Sequence, residues 1–184
     1  MNSLEFDLGK IKVSISFWFL FVISTVSLIS ENFTFVLLAV LIHELSHVIV
    51  LYYVGGKITE INLRLTDINI SSNVMNLPML QASGVILAGP ISNLLFGIVF
   101  KNYNIEFSIV NFSLGLFQLL PLFSSDFDNF IKVIFKEKFN KLFKVIYFSF
   151  ALLVFFLGIN LLIASKYNFT LLVAGIFLII KTLS

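Results

Sequence analysis

Long uncharged stretches of apolar residues recur along this 184-residue chain and limit what it can fold into. Hydrophobic residues make up 59% of the sequence and charged residues only 12%. A soluble core of this size cannot bury so many apolar side chains, so a lipid bilayer is the expected solvent. A transmembrane helix needs roughly 20 apolar residues. About six stretches have that character, at residues 13–30, 33–55, 79–100, 105–123, 143–164 and 168–184.

The basic residues predict how these helices are oriented. If the N-terminus is cytosolic, six spans place all but two of the 12 lysines and arginines inside, and leave Lys101 and Lys166 outside. Cytosolic loops of membrane proteins carry this excess of positive charge. We therefore predict a multi-pass protein of the cell membrane with both termini in the cytosol. No small-residue cleavage site ends the first span, so it is expected to be a retained anchor and not a signal peptide.

The segment between the second and third spans has a different pattern. Apolar residues alternate with polar ones over 61–65 and again over 68–71, which is the period of half-buried strands. We predict a short amphipathic β-hairpin over about 57–72 at the membrane surface, with a turn near Thr66 and Asp67. A polar loop with chance alternation is the alternative, because no strong turn dipeptide is present.

Composition excludes several classes of site. Cysteine is absent, so disulfides, thiolate metal sites and cysteine nucleophiles are ruled out. The net charge of +2 is small, and the basic residues form no aromatic-interleaved patch, so a nucleic-acid partner is not expected. No repeat or composition shift divides the chain, and we predict a single membrane-embedded domain over 1–184. Its second long polar connection, residues 124–141, is rich in lysine.

The second span contains the only two histidines of the protein, in His43-Glu44-Leu45-Ser46-His47. Residues four apart share one face of a helix, so both imidazoles can bind one ion while the intervening glutamate reaches water beside it. An ionisable side chain in the middle of a span is costly and is normally functional. The alternative, polar side chains that join helices by hydrogen bonds, explains neither the spacing nor the central glutamate. The pattern therefore predicts a zinc site with Glu44 as the catalytic residue.

Catalytic zinc usually has three protein ligands, and no third histidine exists. The remaining ligand is therefore expected to be an aspartate or a glutamate. Asp126 and Asp128 follow the fourth span at its predicted cytosolic end, at a depth compatible with the histidines, and either can serve. Other carboxylates fit less well, since they lie in the surface hairpin, at the opposite membrane face or among lysines: Glu60, Asp67, Glu106 and Glu137.

Three separated motifs resemble those of the site-2 protease family of intramembrane metalloproteases, most of all its small branch that includes stage IV sporulation protein FB. The first is the histidine motif, which in the family binds zinc. The second is Gly-Pro-Ile-Ser-Asn at 89–93, which resembles the family's G-x-x-x-N and implies that Asn93 binds substrate near the active site. The third is Leu-Leu-Pro at 119–121 followed by Asp126, which resembles N-L-L-P…L-D-G-G and implies that this aspartate is a zinc ligand.

The third motif departs from the family pattern. Gln118 replaces the usual asparagine, serines occupy 124 and 125, and Phe127-Asp128 replaces a Gly-Gly pair that would let the backbone turn sharply. The five-residue offset from Pro121 favours Asp126 as the ligand. Asp128 is the alternative.

The resemblance implies an intramembrane zinc metalloprotease with Zn²⁺ held by His43, His47 and Asp126. It implies a catalytic core at about 33–130, with the first, fifth and sixth spans as accessory helices, and a re-entrant hairpin that offers a strand edge to an unwound substrate. Expected partners are the lipid bilayer, a membrane-embedded or membrane-tethered protein substrate such as a transcription factor precursor or its inhibitor, and regulatory membrane proteins or further copies of the chain.

Other functions remain open from the sequence. The motif is also compatible with a zinc-binding transporter or scaffold that does not hydrolyse peptides, and with a membrane peptidase that uses a glutamate as its third ligand in a cytosolic domain. The altered aspartate motif is compatible with an inactive homologue.

Overall fold

The computed structural model describes residues 3–8, 11–29, 33–63, 68–136, 139–165 and 169–183. This part of the chain is mostly helical, with one small sheet. It divides into two compact units, Met1–Leu116 and Phe117–Ser184, which are described separately. In chain order the elements are β1 (Ser3–Leu8), β2 (Ile11–Ser16), α1 (Phe17–Ile29), α2 (Phe33–Tyr53), β3 (Ile58–Leu63), β4 (Ile68–Ser72), a 3₁₀ turn (Val74–Asn76), α3 (Met79–Phe100), α4 (Ile105–Gln118), α5 (Asp126–Phe135), α6 (Asn140–Ser165) and α7 (Thr170–Leu183).

The predicted hairpin is confirmed as β3 and β4, which pair antiparallel. Its predicted turn at Thr66 and Asp67 lies outside the described residues. The sheet is larger than predicted, because β1 and β2 form a second hairpin and β2 pairs parallel with β3. The order β1-β2-β3-β4 leaves β1 and β4 at the two edges.

The prediction of a helical first span from residue 13 is wrong at its start, because residues 13–16 belong to β2. Ile11, Val13 and Ile15 alternate with polar residues, which is a strand pattern that an average of hydropathy over a long window hides. The fold is therefore mostly helical with a four-stranded sheet, and not all-α with a single hairpin.

The register of the sheet gives it one polar face. Glu5 lies opposite Ser14, which lies opposite Asn62, and Asp7, Lys12 and Glu60 form a parallel row. The alternate positions carry apolar side chains, as in the row of Phe6, Val13, Ile61 and Ile70. The sheet is thus amphipathic, as predicted for the hairpin alone.

Three helices among the described residues are long and apolar enough to cross a membrane: α2, α3 and Lys141–Ala164 within α6. They correspond to the second, third and fifth predicted spans. The other three predicted spans contain the shorter helices α1, α4 and α7, of 13 or 14 residues. At about 1.5 Å per residue such helices reach roughly 20 Å, less than the ~30 Å hydrocarbon core. The predicted count of six spans is not confirmed.

Helix α3 buries mainly small and polar residues, together with Val85 and Ile86, and it exposes most of its other large apolar residues. Ala82, Gly89 and Asn93 are buried, whereas Leu80 and Ile98 expose 84% and 63% of their surface. Helices that pack in lipid use small residues at their contacts, since apolar side chains gain little by leaving the hydrocarbon. This distribution supports a membrane environment for the helices.

Helix α2 ends in a Schellman motif that leads the chain into β3. Gly55 has a φ of +75°, a backbone conformation that costs glycine little. The amide of Gly56 donates to the Leu51 carbonyl at 2.9 Å, and the Gly55 amide donates to Tyr52 at 3.1 Å. The sharp reversal puts β3 directly after the helix that carries both histidines.

The second unit contains a helix where the sequence predicted only a polar connection. Helix α5 occupies much of the segment 124–141, and the Ser125 side chain caps its first turn by accepting a hydrogen bond from the Asp128 amide. The helix is missed by a search for apolar spans because it is amphipathic and only 10 residues long. A small apolar core of this unit is formed by Leu122, Ala151 and Leu178.

Helices α6 and α7 approach closely at two glycines. A Cβ at Gly158 would lie 2.5 Å from the backbone nitrogen of Leu172, and one at Gly175 would lie 2.6 Å from the Phe155 Cα. Backbone atoms cannot move aside as a flexible side chain can. The close packing of α6 against α7 therefore requires glycine at both positions.

We predict that Gly158→Ala destabilises the folded protein by about 1–3 kcal/mol, because the added methyl group forces α6 and α7 apart. Thermal unfolding in detergent would measure the loss. The matched control is Gly84→Ala in α3, where a Cβ meets nothing within 4 Å and the substitution should be neutral or slightly stabilising. Equal stability of the two variants would contradict this account of the contact.

Candidate metal centre

The two histidines of α2 converge on one point. His43 is 3% exposed, and its Nε2 atom lies 3.2 Å from the Nε2 atom of His47 one turn later. Two nitrogens held tetrahedrally at 2.0–2.1 Å from one zinc ion lie about 3.3 Å apart. The spacing of the pair is therefore close to that of two ligands on one ion.

A backbone carbonyl fixes the orientation of the second imidazole. The Nδ1 atom of His47 lies 2.8 Å from the Val85 carbonyl oxygen of α3. A carbonyl only accepts, so Nδ1 must carry the proton and the lone pair must be on Nε2, which faces the other histidine. Histidines that bind metals are commonly held in this way by a second hydrogen bond.

Space for an ion is provided by Gly89 of α3. A Cβ at this position would lie 2.7 Å from Cε1 of His47 and 2.8 Å from Cε1 of His43. Any other side chain would therefore occupy the volume in front of both rings. The nitrogen donors, their spacing and this opening fit a zinc ion, which binds imidazole readily.

Glu44 lies beside this pair on α2 and is half-buried. It follows His43 directly, so its carboxylate starts about 100° around the helix from the first imidazole, on the flank of the pair. Glu44 therefore lies next to both histidines along the helix.

Asn93 lies one turn beyond Gly89 on the buried face of α3. It is fully buried, and neither atom of its amide has a hydrogen-bond partner among the described residues. A buried amide without partners is costly, so a bound group such as water or a peptide is expected to complete it.

A second buried asparagine, Asn111 of α4, lies on the side facing α3. Its neighbours on that face are Ser108, which donates to the Gly97 carbonyl, and Gly115, which approaches Pro90. Asn111 is fully buried and donates to the Phe107 carbonyl at 2.9 Å, while its oxygen has no partner among the described residues. An asparagine in the middle of an apolar span is a signal in the sequence for such a buried polar residue.

Both candidate aspartates lie in the first turn of α5 in the second unit. Asp128 is 2% exposed, and one carboxylate oxygen accepts hydrogen bonds at 2.9 Å from the Ser124 amide and from Lys132 Nζ. This carboxylate therefore already stabilises the loop and the helix. Asp126 is half-buried at the start of the same helix.

The departures from the family motif have local explanations. The Gln118 side chain accepts a hydrogen bond at 3.3 Å from the backbone amide of Asp126, so it ties the aspartate to the end of α4. The sharp turn is made before the aspartate by Ser124, whose φ is +64°. Phe127 and Asp128 are helical, and a Gly-Gly pair is not needed there.

The structure brings His43, His47 and Gly89 together within the first unit, and it places Asp126 and Asp128 within the second. The roles predicted for Glu44 and Asn93 remain predictions. The Val85 carbonyl, which accepts the hydrogen bond from His47, could not be predicted, because a backbone oxygen carries no signal in the sequence.

Comparison with protein-family models and with curated protein sequences gives no match. Among solved structures, the chain is similar to the site-2 protease from Methanocaldococcus jannaschii, with a TM-score of 0.63 and 23% sequence identity. The similarity covers 98% of this chain and 94% of the other. The chain therefore has the fold of that protease over nearly its whole length.

We predict that Gly89→Ala lowers zinc affinity at least about tenfold, because the methyl group fills the space in front of both imidazoles. Zinc titration of the purified protein in detergent, with bound metal measured by mass spectrometry, would check this. Gly84→Ala, five residues earlier on α3 with open space around it, should bind zinc as the wild type does. Unchanged affinity in Gly89→Ala would mean that the ion does not lie between the rings.

Proposed function

We propose that this protein is an intramembrane zinc metalloprotease of the site-2 protease family. The observation that carries the proposal is the convergence of His43 and His47, with Nε2 atoms 3.2 Å apart, on the opening left by Gly89. The pair lies within a helix long and apolar enough to cross a membrane. The shared fold with a site-2 protease supports the same conclusion independently.

The proposed third ligand is Asp126. We infer this assignment from the five-residue offset of Asp126 from Pro121, which matches the offset of the aspartate ligand in the family motif. The alternative ligand, Asp128, is engaged by the Ser124 amide and by Lys132. Two imidazoles and one carboxylate are a donor set that catalytic zinc uses, and they leave a fourth position open.

When bound, zinc would supply a Lewis acid that polarises the scissile carbonyl and lowers the pKa of water beside it. Glu44 accepts the proton of the attacking water and later delivers it to the leaving amine. The hydrogen bond between His47 Nδ1 and the Val85 carbonyl holds that imidazole with Nε2 turned toward His43. The unpaired amide of Asn93, one turn from the opening, is proposed to bind the backbone of the substrate.

A helical substrate hides its peptide groups in its own hydrogen bonds, so it must unwind before cleavage. The edge strand β4, which pairs only with β3 among the described strands, offers a place for the freed backbone to add as a further strand. Because β3 follows α2 after a single turn, a chain bound at this sheet lies near the end of the helix that carries the histidines.

We propose a multi-pass location in the cell membrane with both termini in the cytosol, as the distribution of lysines indicates. The proposed substrates are membrane-embedded or membrane-tethered proteins, including transcription factor precursors or their inhibitors. Further membrane proteins or copies of the chain are proposed as regulators.

The decisive variant is Glu44→Gln, which removes the base and keeps the size of the side chain. We expect cleavage of a co-expressed single-pass substrate to fall by about 10²–10⁴-fold, the usual contribution of a general base, while bound zinc stays stoichiometric. Substrate cleavage by immunoblot and metal content of the purified protein would be measured together. Retained cleavage would refute the proposed mechanism, and zinc binding without cleavage of any substrate by the wild type would favour a carrier or scaffold.

The two aspartates can be separated by matched asparagine substitutions. We expect Asp126→Asn to lose bound zinc and cleavage, and to unfold at about the temperature of the metal-free wild type. We expect Asp128→Asn to retain zinc but to lose about 1–3 kcal/mol of stability, because the Ser124 amide and Lys132 lose a charged acceptor. Loss of zinc in Asp128→Asn with full occupancy in Asp126→Asn would reverse the assignment.

A further inference from the structure

The second unit contains a basic pocket that the proposed protease chemistry does not use. A cavity of about 220 Å³ lies between α5 and the start of α6. Its volume equals that of several water molecules at ~30 Å³ each, which is enough for a phosphate group with part of its ester chain. All of the residues that line it are aromatic or basic, except Asp128 and Ile131. The full lining consists of Phe123, Asp128, Ile131, Lys132, Phe135, Lys136, Phe139, Phe143, Lys144 and Tyr147.

The apolar part of this pocket is a continuous aromatic wall. The ring of Phe135 lies 5.5 Å from that of Phe139 and 5.6 Å from that of Phe143. Phe143 in turn stacks on Tyr147, whose side chain is buried. Phe135 and Phe139 expose 39% and 41% of their surface, so this wall is accessible from outside the unit.

The charged part of the pocket is positive. Three lysines and one aspartate line it, which gives a net charge of +2. Lys132 is paired with Asp128 at 2.9 Å and lies over the Phe123 ring at 5.5 Å. Lys136 and Lys144 are exposed, and within the described part of the chain no acidic side chain pairs with either.

The pocket lies at the start of an apolar stretch long enough to cross a membrane, Lys141–Ala164. At about 1.5 Å per residue, Lys144 and Tyr147 lie about 5 Å and 9 Å along the helix from the beginning of that stretch. The headgroup region of a bilayer is roughly 5–7 Å thick on each side of the hydrocarbon core. Lys144 therefore lies at the level of lipid headgroups, with Phe143 one residue before it, and Tyr147 lies at the level where acyl chains begin.

We propose that this pocket binds an anionic phospholipid, with Lys136 and Lys144 on the phosphate and the Phe135, Phe139 and Phe143 rings against the first part of the acyl chains. The charge of the pocket is opposite to that of the ligand, and the pocket joins exposed lysines to accessible aromatic rings at the start of a stretch long enough to cross a membrane. A soluble anion would use the lysines but would leave the exposed aromatic wall uncovered. The site lies in the second unit and does not depend on the proposed proteolytic activity.

The test compares lipid preference in nanodiscs of phosphatidylcholine that contain a minority of phosphatidylglycerol. Spin-labelled lipids would report the association of each headgroup with the full chain. We expect the wild type to prefer phosphatidylglycerol by about fivefold or more, and Lys136→Gln with Lys144→Gln to bring the preference close to that of a neutral surface, with a ratio of about one. The control is Lys57→Gln with Lys101→Gln, which removes two exposed lysines from the first unit and should keep the preference.

Unfolding temperatures in pure phosphatidylcholine would check that both double variants are folded. We expect them to match the wild type, since neither pair of lysines makes a contact that the fold requires. An equal loss of preference in both double variants would overturn the proposal, because general surface charge would then explain it. Absence of a preference in the wild type would also overturn it. Displacement of the spin-labelled lipid by millimolar inorganic phosphate, or by a soluble acidic peptide, would assign the pocket to those ligands instead.

Discussion

The packing of the first unit is determined mostly by one constraint. Polar groups must be held inside a unit whose outer surface is apolar. Most large apolar side chains of α2 and α3 are exposed, whereas small or polar residues such as Ala39, His43 and Gly89 are buried. This arrangement gains little from the hydrophobic effect in lipid, so contact depends on close approach and on hydrogen bonds. The hydrogen bond from His47 to the Val85 carbonyl is one such contact, and it also orients a proposed ligand.

The same constraint explains why Gly89 has two effects at once. As a small residue it lets α3 approach α2, and as a residue without a side chain it leaves the space in front of both imidazoles open. The buried amides of Asn93 and Asn111 then extend the polar interior away from this opening.

The sequence predicted local features well and tertiary ones poorly. The histidine pair and the β3–β4 hairpin follow from spacing and alternation over a few residues, and both were predicted correctly. The strand β2 was missed because its apolar residues run into those of α1, and α5 was missed because it is short and amphipathic. The Val85 carbonyl and the hydrogen bond from the Asp126 amide to Gln118 depend on which backbone atoms come together, so no pattern of side chains could predict them.

The parallel pairing of β2 with β3 has a consequence for the order in which the chain is made. Between these strands lie α1 and α2, so β2 leaves the ribosome and has no partner beyond β1 until both helices have been synthesised. An isolated two-stranded hairpin is only marginally stable. The pairing of β2 with β3 therefore forms only after the histidine helix has been synthesised, so the sheet is completed later than α2 during biogenesis.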